Sequence, residues 1–234
     1  MAESLLEVKG IKKSFGGFMA LDGVDLTLGE GEVIGLVGPN GSGKTTLVNI
    51  ISGVYKPTDG EVTLEGRRIS GLSPHKVAAA GVNRSFQIPR PFKDLTVAEN
   101  LMVARHHSGA KNANLSAIIA STHLEGLEDR LANSLTAAQQ KRLDLARALA
   151  TNPRVLLVDE LGAGLNPAEL DEIRVMLNEF SGQGMALLVV EHLLGFLAKV
   201  TSKVIVLDAG REIFAGSLED AVQDPIVVEV FLGG

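Results

Sequence analysis

Gly38-Pro39-Asn40-Gly41-Ser42-Gly43-Lys44-Thr45 is the stretch that decides the fold. It matches G-x-x-x-x-G-K-[ST] in full, follows the apolar run Val33 to Val37, and opens an apolar-periodic helix expected from Gly43 to Ser52. Glycines let the backbone wrap tightly, so that successive N–H groups converge on phosphate oxygens. A helix N-terminus behind them adds favourable partial charge. Lys44 is expected to reach the β/γ-phosphates of ATP and the Thr45 hydroxyl to ligate Mg2+, with Thr46 beside them in the nucleotide-binding set. A glycine turn could match by chance, but the strand before it and the helix after it speak against that. The motif alone does not separate a kinase from a GTPase or another user of the same loop.

Further along, Val155-Leu156-Leu157-Val158-Asp159-Glu160 is a buried-strand run ending in two adjacent carboxylates. Four apolar residues in a row fit a parallel strand covered on both faces. Ligands gather at the C-terminal ends of such strands. Neighbouring residues at a strand end point in different directions, which permits two jobs. Asp159 suits holding Mg2+ through water, and Glu160 suits polarising an attacking water. In isolation the pair also fits a strand that simply meets solvent with acids.

Outward from these two motifs the chain alternates. Short β-like runs come first, at Leu5 to Ile11, Val24 to Leu28 and Glu32 to Val37, with close turns at Gly16-Gly17 and Gly29-Glu30-Gly31 that favour antiparallel neighbours. A further β pair follows at Glu61 to Leu64 and Arg67 to Ile69. From Thr96 to Ala150 the pattern is helical: Thr96 and Glu99 fit a capping box, His106 to Asn114 is polar and irregular, Leu115 to Leu131 is helix-like with a break at Gly126, and Thr136 caps a helix reaching Ala150. Strand Val155 to Asp159, helix Ala168 to Phe180, strand Met185 to Glu191, helix Leu193 to Val200 and strand Lys203 to Leu207 restore α/β alternation. A hairpin at Asp208-Ala209-Gly210 and two short helices close the chain. The fold class expected is α/β: a P-loop NTPase core with a parallel sheet, an antiparallel β subdomain and a short helical insertion. One domain over residues 1–234 is expected, with the helical lobe at about 91–150.

Composition sets bounds. With 45% apolar residues in 234, a sizeable core can be buried. There is no cysteine, hence no disulfide or thiolate metal site. The apolar runs fall well short of the roughly 20 residues of a spanning helix, and the N-terminus shows no secretory pattern. A net charge of −6 without a basic cluster argues against a nucleic-acid partner. It also means that a polyphosphate must be held by local geometry.

Taken in order, these motifs resemble the ATP-binding subunits of ABC transporters along nearly the whole chain. Phe15 stands where that family stacks an aromatic on adenine. Gln87, after Val82-Asn83-Arg84-Ser85-Phe86, stands where a glutamine reaches Mg2+ and the attacking water. His192, directly after the strand ending at Glu191, stands where a histidine contacts the γ-phosphate. Gly164-Leu165-Asn166-Pro167 resembles the loop that crosses the dimer interface. The resemblance implies a head-to-tail dimer with a second, identical or homologous ATPase subunit. Each ATP then lies between one subunit's phosphate loop and the other's Thr136-Ala137-Ala138-Gln139. It also implies transmembrane permease subunits, an indirect link to a solute-binding protein, and a cytoplasmic place on the inner face of the membrane. Arg84 to Phe92 and Asp224 to Gly233 look like the branched-chain amino-acid uptake group.

The chain also departs from the family. Its signature reads Leu135-Thr136-Ala137-Ala138-Gln139 where most members have Leu-Ser-Gly-Gly-Gln. Thr can replace Ser as cap, and alanine keeps the N–H but adds a Cβ where the phosphate approaches. Leu161 stands where a proline often follows the acid pair, and the helical insertion is shorter than usual. The rival readings are a soluble ABC ATPase outside transport, a small-molecule kinase, and a regulatory subunit with weak hydrolysis.

Overall fold

The computed structural model describes residues 4–85, 89–108, 110, 112–201 and 203–232. Strands β1 (Ser4–Phe15) and β2 (Phe18–Gly29) form an antiparallel hairpin. Its turn residues Gly16 and Gly17 have φ of 54° and 93°, the left-handed values that this two-residue turn needs. After Gly29 the sequence reading expects another antiparallel neighbour. Instead Gly31 N donates to Gly184 O and the chain crosses into β3 (Val33–Val37) of a second sheet. All five β3 residues are buried, which suits a strand covered on both faces and no sheet edge. Helix α1 (Lys44–Ile51) follows the glycine loop, and β4 (Asp59–Leu64) and β5 (Arg67–Arg68) complete the first sheet in the order β2-β1-β4-β5.

Helix α2 (Pro74–Ala80) is absent from the sequence reading. Its signals are nevertheless present, a proline at the first turn and a C-terminal Gly81 at φ 111°. Strand β6 (Val82–Arg84) then leads to α3 (Val97–Ser108), where Thr96 and Glu99 do make the expected reciprocal capping box. Helix α4 (Leu115–Ser121) ends well before Leu131 and before Gly126. The stop lies at Thr122, whose hydroxyl donates to Ile118 O, and at His123, which turns into the left-handed region at φ 51°. A 3-10 turn at Ala132–Ser134 precedes α5 (Ala137–Leu149).

The remaining elements alternate as expected: β7 (Val155–Asp159), α6 (Pro167–Gly182), β8 (Ala186–Val190), α7 (Leu194–Val200), β9 (Lys203–Asp208) and β10 (Arg211–Ser217), then α8 (Leu218–Ala221) and α9 (Pro225–Leu232). The second sheet runs β10-β9-β3-β8-β7-β6, parallel except for the antiparallel edge strand β10. Strand alternation sends Val155 and Leu157 to the face packed on α1 and the first sheet. Leu156 and Val158 go to the face covered by α6 and α7. Helix α5 is shared. Its Leu145 and Leu149 join that second face, while Leu143 and Ala146 join a third cluster with Val97 and Leu101 of α3. The helical lobe is thereby packed directly on the sheet that carries the site. Among the described residues no helix is long and apolar enough to cross a membrane.

Candidate functional site

Parallel topology gathers the site. Strands β3, β8 and β7 are successive neighbours, so the loop after β3, Glu191-His192 after β8 and Asp159-Glu160 after β7 leave the sheet at one edge. Three loop glycines, at 38, 41 and 43, have positive φ, and at two of them a side chain would also clash. A Cβ on Gly38, at φ 145°, would fall 2.1 Å from Leu207 O; one on Gly43, at φ 107°, would fall 2.7 Å from Leu21 Cδ2. These contacts clamp the loop against β9 and β2. Gly41 faces open space, with nothing within 4 Å of an added Cβ.

Lys44 lies under the loop. Its Nζ donates to Gly38 O at 2.7 Å and Pro39 O at 2.8 Å, and the buried Ser42 Oγ lies at 3.5 Å. Burial pulls this amino group below the usual lysine range, while the charges of Glu160 and Asp159 act in the opposite direction.

Glu160 turns out of the strand through a left-handed conformation, φ 46°, with its N–H donated to Val190 O at 2.9 Å. For a residue with a Cβ that costs about 1–2 kcal/mol, and such strain collects at functional sites. The turn brings Glu160 Oε1 to 3.0 Å from His192 Nε2. Both side chains line a cleft of about 310 Å3 together with Asn40, Gly41, Gly43, Lys44, Thr45 and Thr46. Phe15 lines it too, and so does Phe18, its partner across the Gly16-Gly17 turn. Sequence reasoning named only Phe15. The ring of Phe15 is held edge-on by Tyr55 at 5.2 Å and covered by Lys13 Nζ at 4.8 Å, whereas Phe18 is 68% exposed. The signal was available, an aromatic on each side of a tight glycine turn.

Other residues around the cleft were not foreseen. Arg84, at the end of β6, donates from Nη2 to Asp159 Oδ2 at 2.6 Å and from Nη1 to Asn49 Oδ1 of α1 at 2.5 Å. Asp159 is therefore a buried, ion-paired carboxylate behind the cleft, with its own N–H near Ser85 Oγ at 3.4 Å. Glu191 is buried and accepts the Gly162 N–H at 2.6 Å; burial pushes its carboxyl above the usual range, against the N–H groups of Gly162 and His192. Lys141 of α5 donates to Leu161 O at 2.7 Å and Ala163 O at 2.5 Å, tying the helical lobe to the turn after Glu160.

Thr136 caps α5: its hydroxyl accepts from Gln139 N and Gln139 Oε1 accepts from Thr136 N. This box leaves the first turn's N–H groups at a helix start. Thr136 and Ala137 are exposed, whereas Ala138 is only 7% exposed. Thr136 to Gln139 are not among the residues lining the cleft of their own chain. Gln87 lies outside the described residues.

Comparison with known proteins gives a consistent set. A family model described as ABC transporter matches residues 21–163. The high-affinity branched-chain amino acid transport ATP-binding protein BraF of Pseudomonas aeruginosa is 35% identical, over 100% of this chain and 99% of its own. The ADP conformation of MJ1267, an ATP-binding cassette of an ABC transporter, superposes with a TM-score of 0.90 at 32% identity, covering 99% of each chain. The dimeric post-hydrolysis state of the cassette MJ0796, bound to ADP and Pi, matches at 0.77 and 26% identity over 91% of this chain and 98% of that one.

Proposed function

The chain belongs to the ABC transporter family, and from that premise we propose that it binds and hydrolyses ATP to energise transport of a small solute through separate transmembrane subunits. The observation that carries this reading is the meeting of Lys44, Thr45, Glu160 and His192 in one cleft beside two aromatic rings. In this reading the backbone N–H groups of residues 38–46 and the α1 N-terminus cradle the phosphates. Lys44 offsets their charge by exchanging its loop carbonyls for phosphate oxygens. Phe15 and Phe18 stack on adenine. Glu160 accepts a proton from the attacking water, and His192 exchanges its contact with Glu160 for donation to the γ-phosphate.

The donors fit Mg2+. Thr45 lines the cleft and Asp159 lies behind it, ion-paired with Arg84, so a hydroxyl and a carboxylate offer hard oxygen donors. That suits an ion held by one or two side chains together with substrate phosphates. Thr45, Asp159 and Gln87 would hold it, and when bound it neutralises charge on the transferring phosphoryl group. These residues bind and orient the nucleotide; the water's proton is handled by Glu160.

The active form is a head-to-tail dimer in which a second ATPase subunit presents its Thr136, Ala137, Ala138 and Gln139 to the γ-phosphate. The dimeric state of the MJ0796 cassette with ADP and Pi supports a dimer of such subunits. The whole of residues 1–234 acts as one nucleotide-binding domain, with the lobe at about 91–150 as the contact to the permease. The name of BraF points to a branched-chain amino-acid type of system, indirectly served by a solute-binding protein. The subunit is then cytoplasmic and peripheral on the inner face of the membrane, and needs no nucleic acid. The test is phosphate release from MgATP by purified protein, alongside titration with a fluorescent ATP analogue. Lys44→Ala is expected to abolish both signals, and unchanged binding by that variant rules out the cleft as the nucleotide site.

A further inference from the structure

Carboxylates crowd the strand ends that carry the site. Asp159, Glu160 and Glu191 leave the ends of two neighbouring strands, and the chain carries a net charge of −6. Asp159 is buried, so water screens its charge weakly. Its charge is felt by the Lys44 ammonium, and the cation in direct contact with it is Arg84. The Arg84 side chain is 12% exposed and that of Asp159 7%, and the 2.6 Å bond between them is a desolvated, charge-assisted pair. The same guanidinium reaches Asn49, on the helix that begins with Lys44. It therefore connects the carboxylate behind the cleft to the phosphate-binding helix.

We propose that Arg84 is the resident counter-cation of Asp159, discharging it when no divalent ion is present so that the chain can accept nucleotide before metal. Arg84 acts through Asp159 and is a positioning residue. Without it, Asp159 loses the only ion pair it makes among the described residues and keeps Lys44 alone as a nearby positive charge, so the carboxylate behind the phosphate cradle repels metal-free ATP. With metal bound to the nucleotide, the ion supplies the missing positive charge and Arg84 matters less. The inference rests on the nucleotide reading of the cleft and assigns a selective role within it: Arg84 controls affinity for ATP in the absence of metal.

The experiment is titration of ATP by calorimetry, once in EDTA and once in excess Mg2+, on the wild-type chain, Arg84→Gln, Arg84→Lys, Asp159→Asn and the Arg84→Gln/Asp159→Asn pair. Arg84→Gln is expected to weaken metal-free binding on the order of tenfold, the scale of one unbalanced charge at close range. Binding in Mg2+ should change by less than about threefold. Arg84→Lys should keep most metal-free affinity, and the double variant should recover it because the repelling charge is gone. Equal losses in the two conditions, or no recovery in the double variant, overturn the proposal and leave Arg84 a structural support. Should Arg84→Gln fail to fold by circular dichroism, Asp159→Asn decides. With Arg84 retained and the carboxylate neutral, metal-free ATP must bind at least as tightly as to wild type, and weaker binding overturns the charge account. A wild-type chain that binds ATP in neither condition sinks the nucleotide reading itself, a different outcome from a wild type that binds and variants that do not discriminate.

Discussion

His192 Nε2 lies 3.0 Å from Glu160 Oε1, a contact made between the residues that follow two neighbouring parallel strands. Nothing in the linear chain joins these residues. The left-handed backbone of Glu160 turns its carboxylate away from the strand direction, and the sheet register supplies the histidine. A carboxylate and an imidazole are thereby set in contact in the cleft that Lys44 lines, the arrangement that the proposed roles of base and orienting partner require.

Glu160→Gln should therefore keep ATP affinity and lose turnover. The amide fills the same space and can still meet His192, but it does not accept the water's proton. Phosphate release should fall by about 10²–10⁴-fold, the usual contribution of a positioned base. ATP-dependent dimers should accumulate in size-exclusion chromatography, since closure no longer ends in hydrolysis. Phosphate release near the wild-type rate removes Glu160 from the role of base.

Glu191 predicts a pH effect on stability. Burial raises its folded-state pKa above the ordinary carboxylate range, so the folded chain holds this proton more tightly than the unfolded chain. The contribution to stability is complete below the ordinary carboxylate range and is lost as pH climbs through the raised value. Glu191→Gln keeps an acceptor oxygen for the Gly162 N–H and carries no charge. The drop in melting temperature between pH 5 and pH 8 should be smaller in this variant than in wild type, by about 2–4 °C for each kcal/mol removed. Identical pH profiles for the two proteins would show that the Glu191 carboxylate does not titrate with folding.

The strands that carry the site were legible because they are short, wholly apolar and bounded by glycine or acids. Val155 to Asp159 is found with the bounds read from its pattern. Lys44, Thr45, Glu160 and His192 were legible as motif positions, and the parallel sheet explains why such distant positions converge. Arg84 and Lys141 were not. Arg84 sits in a strand-like run and Lys141 in a polar stretch of a helix, and what gives each its partners is tertiary: Asp159 and Asn49 for the first, two loop carbonyls for the second. The end of α4 was misplaced for a related reason. Thr122 and His123 stop the helix through a hydroxyl back-bond and a left-handed turn, whereas Gly126 offered the more obvious breaker. Helix α5 shows the limit on signature residues, since periodicity placed the helix but not which of Ala137 and Ala138 faces outward.

Ala137 now gives the sharpest test of the head-to-tail dimer. It is exposed in the first turn of α5, while Ala138 is buried, so an acid at position 137 can stay in solvent and an acid at 138 cannot. A carboxylate in the first turn of a helix is favoured by the helix dipole, typically by about 0.3–1 kcal/mol. Ala137→Asp should consequently fold at least as well as the parent chain. The variant is made in the Glu160→Gln background, where ATP-bound dimers persist. Monomeric ATP binding should change by less than about twofold, because the cleft of the same chain is not lined by Ala137. The ATP-dependent dimer should nevertheless disappear from size-exclusion chromatography, because the new charge meets the triphosphate held by the opposite subunit. Ala137→Asn, of the same reach and no charge, should retain more dimer than the acid. If Ala137→Asp still dimerises with ATP as the parent does, the start of α5 is not the second half of the nucleotide site, and the two subunits must meet through another surface.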